Sequence, residues 1–291
     1  MAHRVVKVYN ATRYKACRGA VLTSIFGRGW MSWGVDEAMR RLRRLWHKKL
    51  VELSHEGWER LQDGAKHQYL RNCPPFGCES ADSAQRCDVK LICPFCWARR
   101  FTLDPFMKVE AALFGGFHPK AKLAMAQPNL TLIEFTRTYK IKPHKNVLWT
   151  PEIRAAMVQH AKQIITGPDR QSEVDVFRPL GGVLLHRLDP QVRCWRLTRN
   201  GIFICDMPPE FTLPPELTKL KKIKRFNGNR WPRSHITKHR LYQAFAKRFC
   251  FPAGVMNADP QDVLLYIEGL RGVRMLSTFG ICREKRSQKH F

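Results

Sequence analysis

Cys73, Cys78, Cys87, Cys93 and Cys96 fall within one short stretch of the chain, and the last two close a Cys-Pro-Phe-Cys turn. Zinc takes four tetrahedral thiolate or imidazole ligands, and a Cys-Pro-x-Cys turn offers two sulfurs from one tight loop. The remaining two must come from Cys73, Cys78 and Cys87, with His67 as an outside candidate. The reading adopted is a structural zinc on Cys78, Cys87, Cys93 and Cys96, with Cys73 as the alternate ligand. A disulfide framework and ordinary buried thiols are the competing readings. Ten cysteines in 291 residues fall well short of the density of a small secreted scaffold.

The charge of the chain points the same chemistry toward a polyanion. Fifty-one Lys and Arg face 24 Asp and Glu, giving a formal net charge of +27 and a pI near 10.2, the composition of a nucleic-acid-binding protein. A solvated basic surface or attraction to anionic lipid would need no aromatic residues, yet eight Trp accompany the basic ones, and there is no lipidation motif. No apolar stretch is long enough to span a bilayer and the first residues form no signal-peptide core. The expectation is a soluble, cytoplasmic protein whose thiols stay reduced and are free for metal. With 44% hydrophobic residues the chain can bury a sizeable core.

These side chains need elements to hold them. Residues 1–34 show no clear period and are assigned only to a basic, partly helical N-terminal region, 1–72. Residues 36–53 read as a helix: Asp36 and Glu37 open it, and Met39, Leu42, Trp46, Leu50 and Leu53 form one stripe. Its opposite face carries Arg40, Arg43 and Arg44, either phosphate contacts or simply its wet side. The zinc module spans 73–100 and ends on Trp97, Arg99 and Arg100.

After the module, residues 128–136 and the segments 180–188 and 195–205 read as strands. Between the first two lies a helix capped by Thr150, opened by Pro151 and closed by Gly167. Residues 208–233 read as a loop bearing Lys219, Lys221, Lys222, Lys224 and Arg225, either a backbone-contacting loop or a linker. Helices follow over 239–249 and 259–270, then a segment with Arg271 and Arg274, and a basic tail at 287–291. The expected fold is α+β: a central antiparallel sheet with flanking helices over 101–286, preceded by the zinc module and the N-terminal region. Trp97 and Trp195 are expected in the core.

Taken in order, these pieces resemble the plasmid rolling-circle replication initiators, the Rep branch of the HUH nucleases. Cys87, Cys93, Cys96 and Arg99 match that family's Cys…Cys-Pro-x-Cys-x-x-Arg module. Leu130-Thr-Leu-Ile-Glu-Phe-Thr136 is similar to its first core strand, and Gly181-Gly-Val-Leu-Leu-His-Arg-Leu-Asp189 is loosely similar to its Gly-Tyr-Val-Arg-x-Leu-Glu strand. The stretch from Tyr266 to Gly280 matches its final Leu-x-Gly-x-Arg segment well. The likeness runs over roughly 73 to 286 and implies the HUH fold.

The chemistry the resemblance implies needs a His-x-His pair holding a divalent cation and a tyrosine that attacks the scissile phosphate. The pair falls on Thr198 and Asn200, whose hydroxyl and amide are poor substitutes for imidazoles. Asp189 keeps the family's acidic position, but Arg187 lies two residues before it, a cation on the same face of the strand. His186 and Asp189 fall on opposite faces. Tyr242 and Lys247 are the nearest match to the nucleophile motif, but five helical residues separate them by about 140° around the axis.

The resemblance therefore implies a DNA-binding protein of plasmid or phage replication with strand nicking reduced or lost. Its partners are single-stranded or hairpin origin DNA and host replication proteins, with no membrane, and Mg or Mn enters only if nicking is retained. Two alternatives stand beside it: an active nickase with Tyr242 as nucleophile, and a basic zinc-ribbon protein that binds RNA.

Overall fold

The computed structural model describes residues 18–55, 91–115, 126–144, 147–168, 172–207 and 226–283. Most of the cysteine stretch, with Cys73, Cys78 and Cys87, and the whole run from Lys219 to Arg225 lie outside the described residues.

Residues 18–26 are helical, and a 3-10 segment, Gly27–Ser32, leads into α1, Val35–His55. The predicted stripe is the one that turns inward: Met39, Leu42, Trp46, Leu50 and Leu53 are buried, joined by Ala38 and by Lys49. Lys49 ends on Glu52 and on the carbonyl of Ala258. The Cys-Pro-Phe-Cys turn opens a short helix, Pro94–Trp97, which runs through a π segment, Ala98–Leu103, into α2, Asp104–Phe114.

The sheet begins with β1, Leu130–Ile141, longer than its apolar half suggested because it continues through Arg137-Thr-Tyr-Lys. Helix α3, Pro151–Thr166, starts where its punctuation placed it, the Thr150 hydroxyl accepting from the Ile153 amide. Helix α4, Ser172–Phe177, precedes β2, Gly181–Gln191, and β3, Cys194–Asp206. A tight turn joins the last two, with Arg193 at φ 53°. Strand β4, Phe226–Pro232, leads to α5, Lys238–Arg248. Helix α6, Pro260–Gly269, and β5, Leu276–Gly280, are the last elements among the described residues.

Five strands in the order β4-β1-β3-β2-β5, antiparallel at every pairing, form one sheet. The α+β reading therefore holds. Two strands escaped it, however, since the region around β4 was expected to be loop and β5 was given no structure. Both are edge strands of mixed composition, and an edge needs no apolar run on both faces. Pro232, which has no amide to offer a neighbour, ends β4.

Both faces of the sheet centre are covered, which is why β3 is buried without alternation from Leu197 to Cys205, the polar Thr198, Arg199 and Asn200 included. On one face lie α5 and α2; on the other lie α3 and α4, where Phe177 packs on Phe135 and Phe203. Gly201 is the close point of that second face: a Cβ there would overlap the Phe135 ring. Trp97 and Trp195 are buried, as expected, and Trp195 stacks on Tyr266 of α6. Among the described residues, no helix is long and apolar enough to cross a membrane.

Candidate functional site

Thr198 and Asn200 lie two residues apart on β3, so both point to the α5 face of the sheet. Register puts Asn200 opposite Thr136 of β1 and Thr198 opposite Arg187 of β2. Their polar atoms form a directed chain. The Arg248 guanidinium donates to the Thr136 hydroxyl at 2.7 Å, Thr136 donates to the Asn200 carbonyl at 2.8 Å, and the Asn200 amide donates to the Thr198 hydroxyl at 3.1 Å. Thr198 in turn donates to the Arg187 carbonyl at 3.4 Å.

At its other end the guanidinium lies 3.5 Å from Glu134, which also accepts from the Asn229 amide. The line thus crosses β4, β1, β3 and β2 beneath one helix. Each hydroxyl in it both accepts and donates, the arrangement in which neighbouring hydrogen bonds reinforce one another.

Burial explains why it closes on itself. Glu134 and Arg248 are 3% and 5% exposed, and an ion taken from water is tolerable only when paired and hydrogen-bonded. Arg248 reaches the sheet because it belongs to the inward stripe of α5, after Leu241, Ala244 and Phe245. Sequence reasoning passed over Glu134, Thr136, Asn229 and Arg248. Two signals were available: a glutamate inside an apolar strand must find a cation, and Arg248 falls seven residues after Leu241, on the buried face.

The neighbouring acid is also occupied. Asp189 is held by Arg196 at 2.8 Å and by the Gly254 amide at 2.9 Å. Arg187 turns to Cys250, contacting its sulfur at 2.7 Å and its carbonyl at 3.2 Å. Tyr242 is half-buried, its ring edge-on to Phe106 at 5.8 Å, and Lys247 is exposed. The two therefore differ in surroundings, in line with their angular separation on the helix.

Cys93 and Cys96 are both buried in the first helical turn, where the Cys93 carbonyl accepts from the Trp97 amide. The turn is tied to the end of α5, since the Phe249 carbonyl accepts from the Trp97 indole at 3.2 Å and the Thr102 hydroxyl at 2.7 Å. Among the described residues no group of three or more His, Cys, Asp or Glu side chains could hold a metal ion. Cys78 and Cys87, the other two ligands expected for zinc, lie outside those residues.

Of the basic residues singled out from sequence, Arg40, Arg43 and Arg44 are exposed on the outer face of α1, with Arg40 3.3 Å from Glu37. Arg99 is half-buried in the π segment, and Arg100 is exposed and 3.9 Å from Asp104. Arg271 and Arg274 are exposed between α6 and β5.

These features define an α+β protein with a five-stranded antiparallel sheet whose polar centre is sealed by a buried arginine. Comparison with protein-family models, with curated proteins and with solved structures finds no match to this chain.

Proposed function

We propose that this chain is a DNA-binding protein of plasmid or phage replication, akin to the rolling-circle initiators of the HUH superfamily, with strand nicking reduced or lost. The observation that carries the loss of nicking is the line from Glu134 through Arg248, Thr136 and Asn200 to Thr198. Thr198 and Asn200 stand at the positions where the resemblance calls for metal ligands, and their hydrogen bonds are directed into neighbouring side chains and the Arg187 carbonyl. Guanidinium groups already supply positive charge to the nearby carboxylates, Arg248 to Glu134 and Arg196 to Asp189. Magnesium or manganese does not fit this donor set: hydroxyl and amide oxygens beside a fixed cation offer a divalent ion neither charge nor a free face.

The net charge of +27 supports DNA as the partner, because phosphate neutralisation supplies most non-specific affinity. A structural zinc is part of the same reading. Cys93 and Cys96 suit half of such a site, with both thiols buried at the start of a helix, and Cys78 and Cys87 are proposed to complete it. Zinc there would fasten the cysteine turn, through Trp97 and Thr102, to the end of α5 that carries Arg248.

The test is a covalent-adduct assay, with purified protein, magnesium or manganese and labelled single-stranded DNA of its own replicon run on a denaturing gel beside Tyr242→Phe. Intact DNA that the protein still binds is the expected result. An adduct lost in the variant would establish a working nickase with Tyr242 as nucleophile. Preference for RNA over single-stranded and hairpin DNA would instead move the chain to the RNA-binding class.

A further inference from the structure

Trp33 is, among the described residues, the one exposed aromatic side chain, at 37%, and Met31 and Val35 beside it are exposed as well. The 3-10 segment leading to it buries none of its residues. Phe26 and Trp30 from the same turn pack against the core, so Trp33 is left outside by geometry rather than for want of an apolar surface to join. Its ring meets Phe26 edge-on at 5.5 Å, and its face is covered by the guanidinium of Arg41 at 4.0 Å. Arg41 is itself held from the other direction, its Nε donating to Glu37 at 3.0 Å.

An arginine fixed in this way is a prepared stacking surface. Its guanidinium lies over an indole, its Nε–H is committed to a carboxylate, and little side-chain freedom remains to be lost on binding. The side chain is still 44% exposed. Bases of single-stranded nucleic acid stack on aromatic rings and on guanidinium planes alike, whereas a paired duplex offers no free base face. Arg40, Arg44 and Lys48 continue from Arg41 along the exposed face of α1, with four-residue steps of about 6 Å. Asp36 and Glu37 are the acids of that first turn, and Glu37 is taken by Arg40 and Arg41.

We propose that Arg41, seated over the Trp33 ring and bonded to Glu37, is a base-stacking platform for single-stranded nucleic acid, with Arg40, Arg44 and Lys48 contacting the phosphates that follow. This rests on the nucleic-acid-binding reading and adds to it a strand preference and an address. An apolar partner protein would use Met31, Trp33 and Val35 but would leave this run of cations unmatched, so charge complementarity favours the polyanion.

The experiment uses the full chain and fluorescence anisotropy, with a short labelled single strand of mixed sequence and the same sequence as a blunt duplex. Arg41→Lys keeps the charge and removes the plane; Trp33→Ala removes the support beneath it. Both are expected to weaken single-strand binding roughly five- to hundredfold, to leave duplex binding within about twofold, and to lower the thermal midpoint only slightly because both sites lie at the surface. Single-strand binding by Arg41→Lys equal to that of the unaltered protein overturns the platform while the DNA-binding reading stands. Equal losses on both strands also overturn it, since they would mark a general change of charge or shape. Failure of the unaltered protein to bind either strand would overturn the nucleic-acid reading itself.

Discussion

Arg248 shows how one residue sets the character of the sheet centre. Removing it leaves Glu134 charged, buried and without its cation, so Arg248→Ala should cost about 3–5 kcal/mol in urea denaturation. The double variant Glu134→Gln, Arg248→Met should recover much of that loss, because it removes both charges together. A single variant as stable as the unaltered chain would show that the guanidinium does not balance Glu134. Burial acts just as directly on Cys205, whose thiol is pushed up to about 12. Since the thiolate is the reactive form, Cys205 should resist alkylation in the native state at neutral pH while half-exposed Cys250 is modified before it, as peptide mapping would record. Glu37 moves the other way: the hydrogen bond from Arg41 holds its carboxyl below the ordinary 4.5. Its stabilising contribution is present above that ordinary value and is lost as the pH falls through the lowered one. Arg41→Gln should return the Glu37 titration, followed by NMR, towards the usual range.

At the scale of elements, fit decides more than propensity. Strand β3 passes so close to β1 that Gly201 has no room for a side chain, a Cβ overlapping the Phe135 ring. Gly201→Ala should therefore destabilise by about 1–3 kcal/mol through overpacking, although alanine is no worse than glycine in an isolated strand. An unchanged midpoint would mean that Phe135 can swing aside. Helix α5 carries the sealing arginine and begins at Thr237, whose hydroxyl accepts from the Arg240 amide. Thr237→Ala should cost about 1 kcal/mol. The far end of α5 is held by Trp97 and Thr102 on the Phe249 carbonyl, so whatever steadies the cysteine turn also steadies the sheet centre.

For the whole molecule the proposed DNA and zinc binding are tested by salt and by chelator. On the proposed DNA-binding reading, affinity should fall steeply with added salt, and Arg40→Gln with Arg44→Gln should reduce the slope of log affinity against log salt by about 2 if both touch phosphates. A shallow dependence in the unaltered protein would argue against phosphates as the main contacts. If the proposed zinc is bound, chelation should lower the thermal midpoint and loosen the surroundings of Trp97, visible in near-UV circular dichroism, because zinc binding and folding are coupled. A midpoint indifferent to chelator would remove zinc from the description.

Local periodicity and punctuation in the sequence determined α1, α3, β2 and β3, because burial on one helix face, or on both strand faces, is written in consecutive residues. The Thr150 cap and the inward stripe from Met39 to Leu53 could be read the same way. Edge strands β4 and β5 could not, since their pairing depends on a neighbour far away in the chain and not on their own composition. Sequence could also say that Thr198 and Asn200 are unsuited to a divalent cation. Only the tertiary structure could say what they do instead, because the partners of that polar line come from β1, β2, β4 and α5, and a hydrogen bond of under 3 Å depends on strand register and helix placement together.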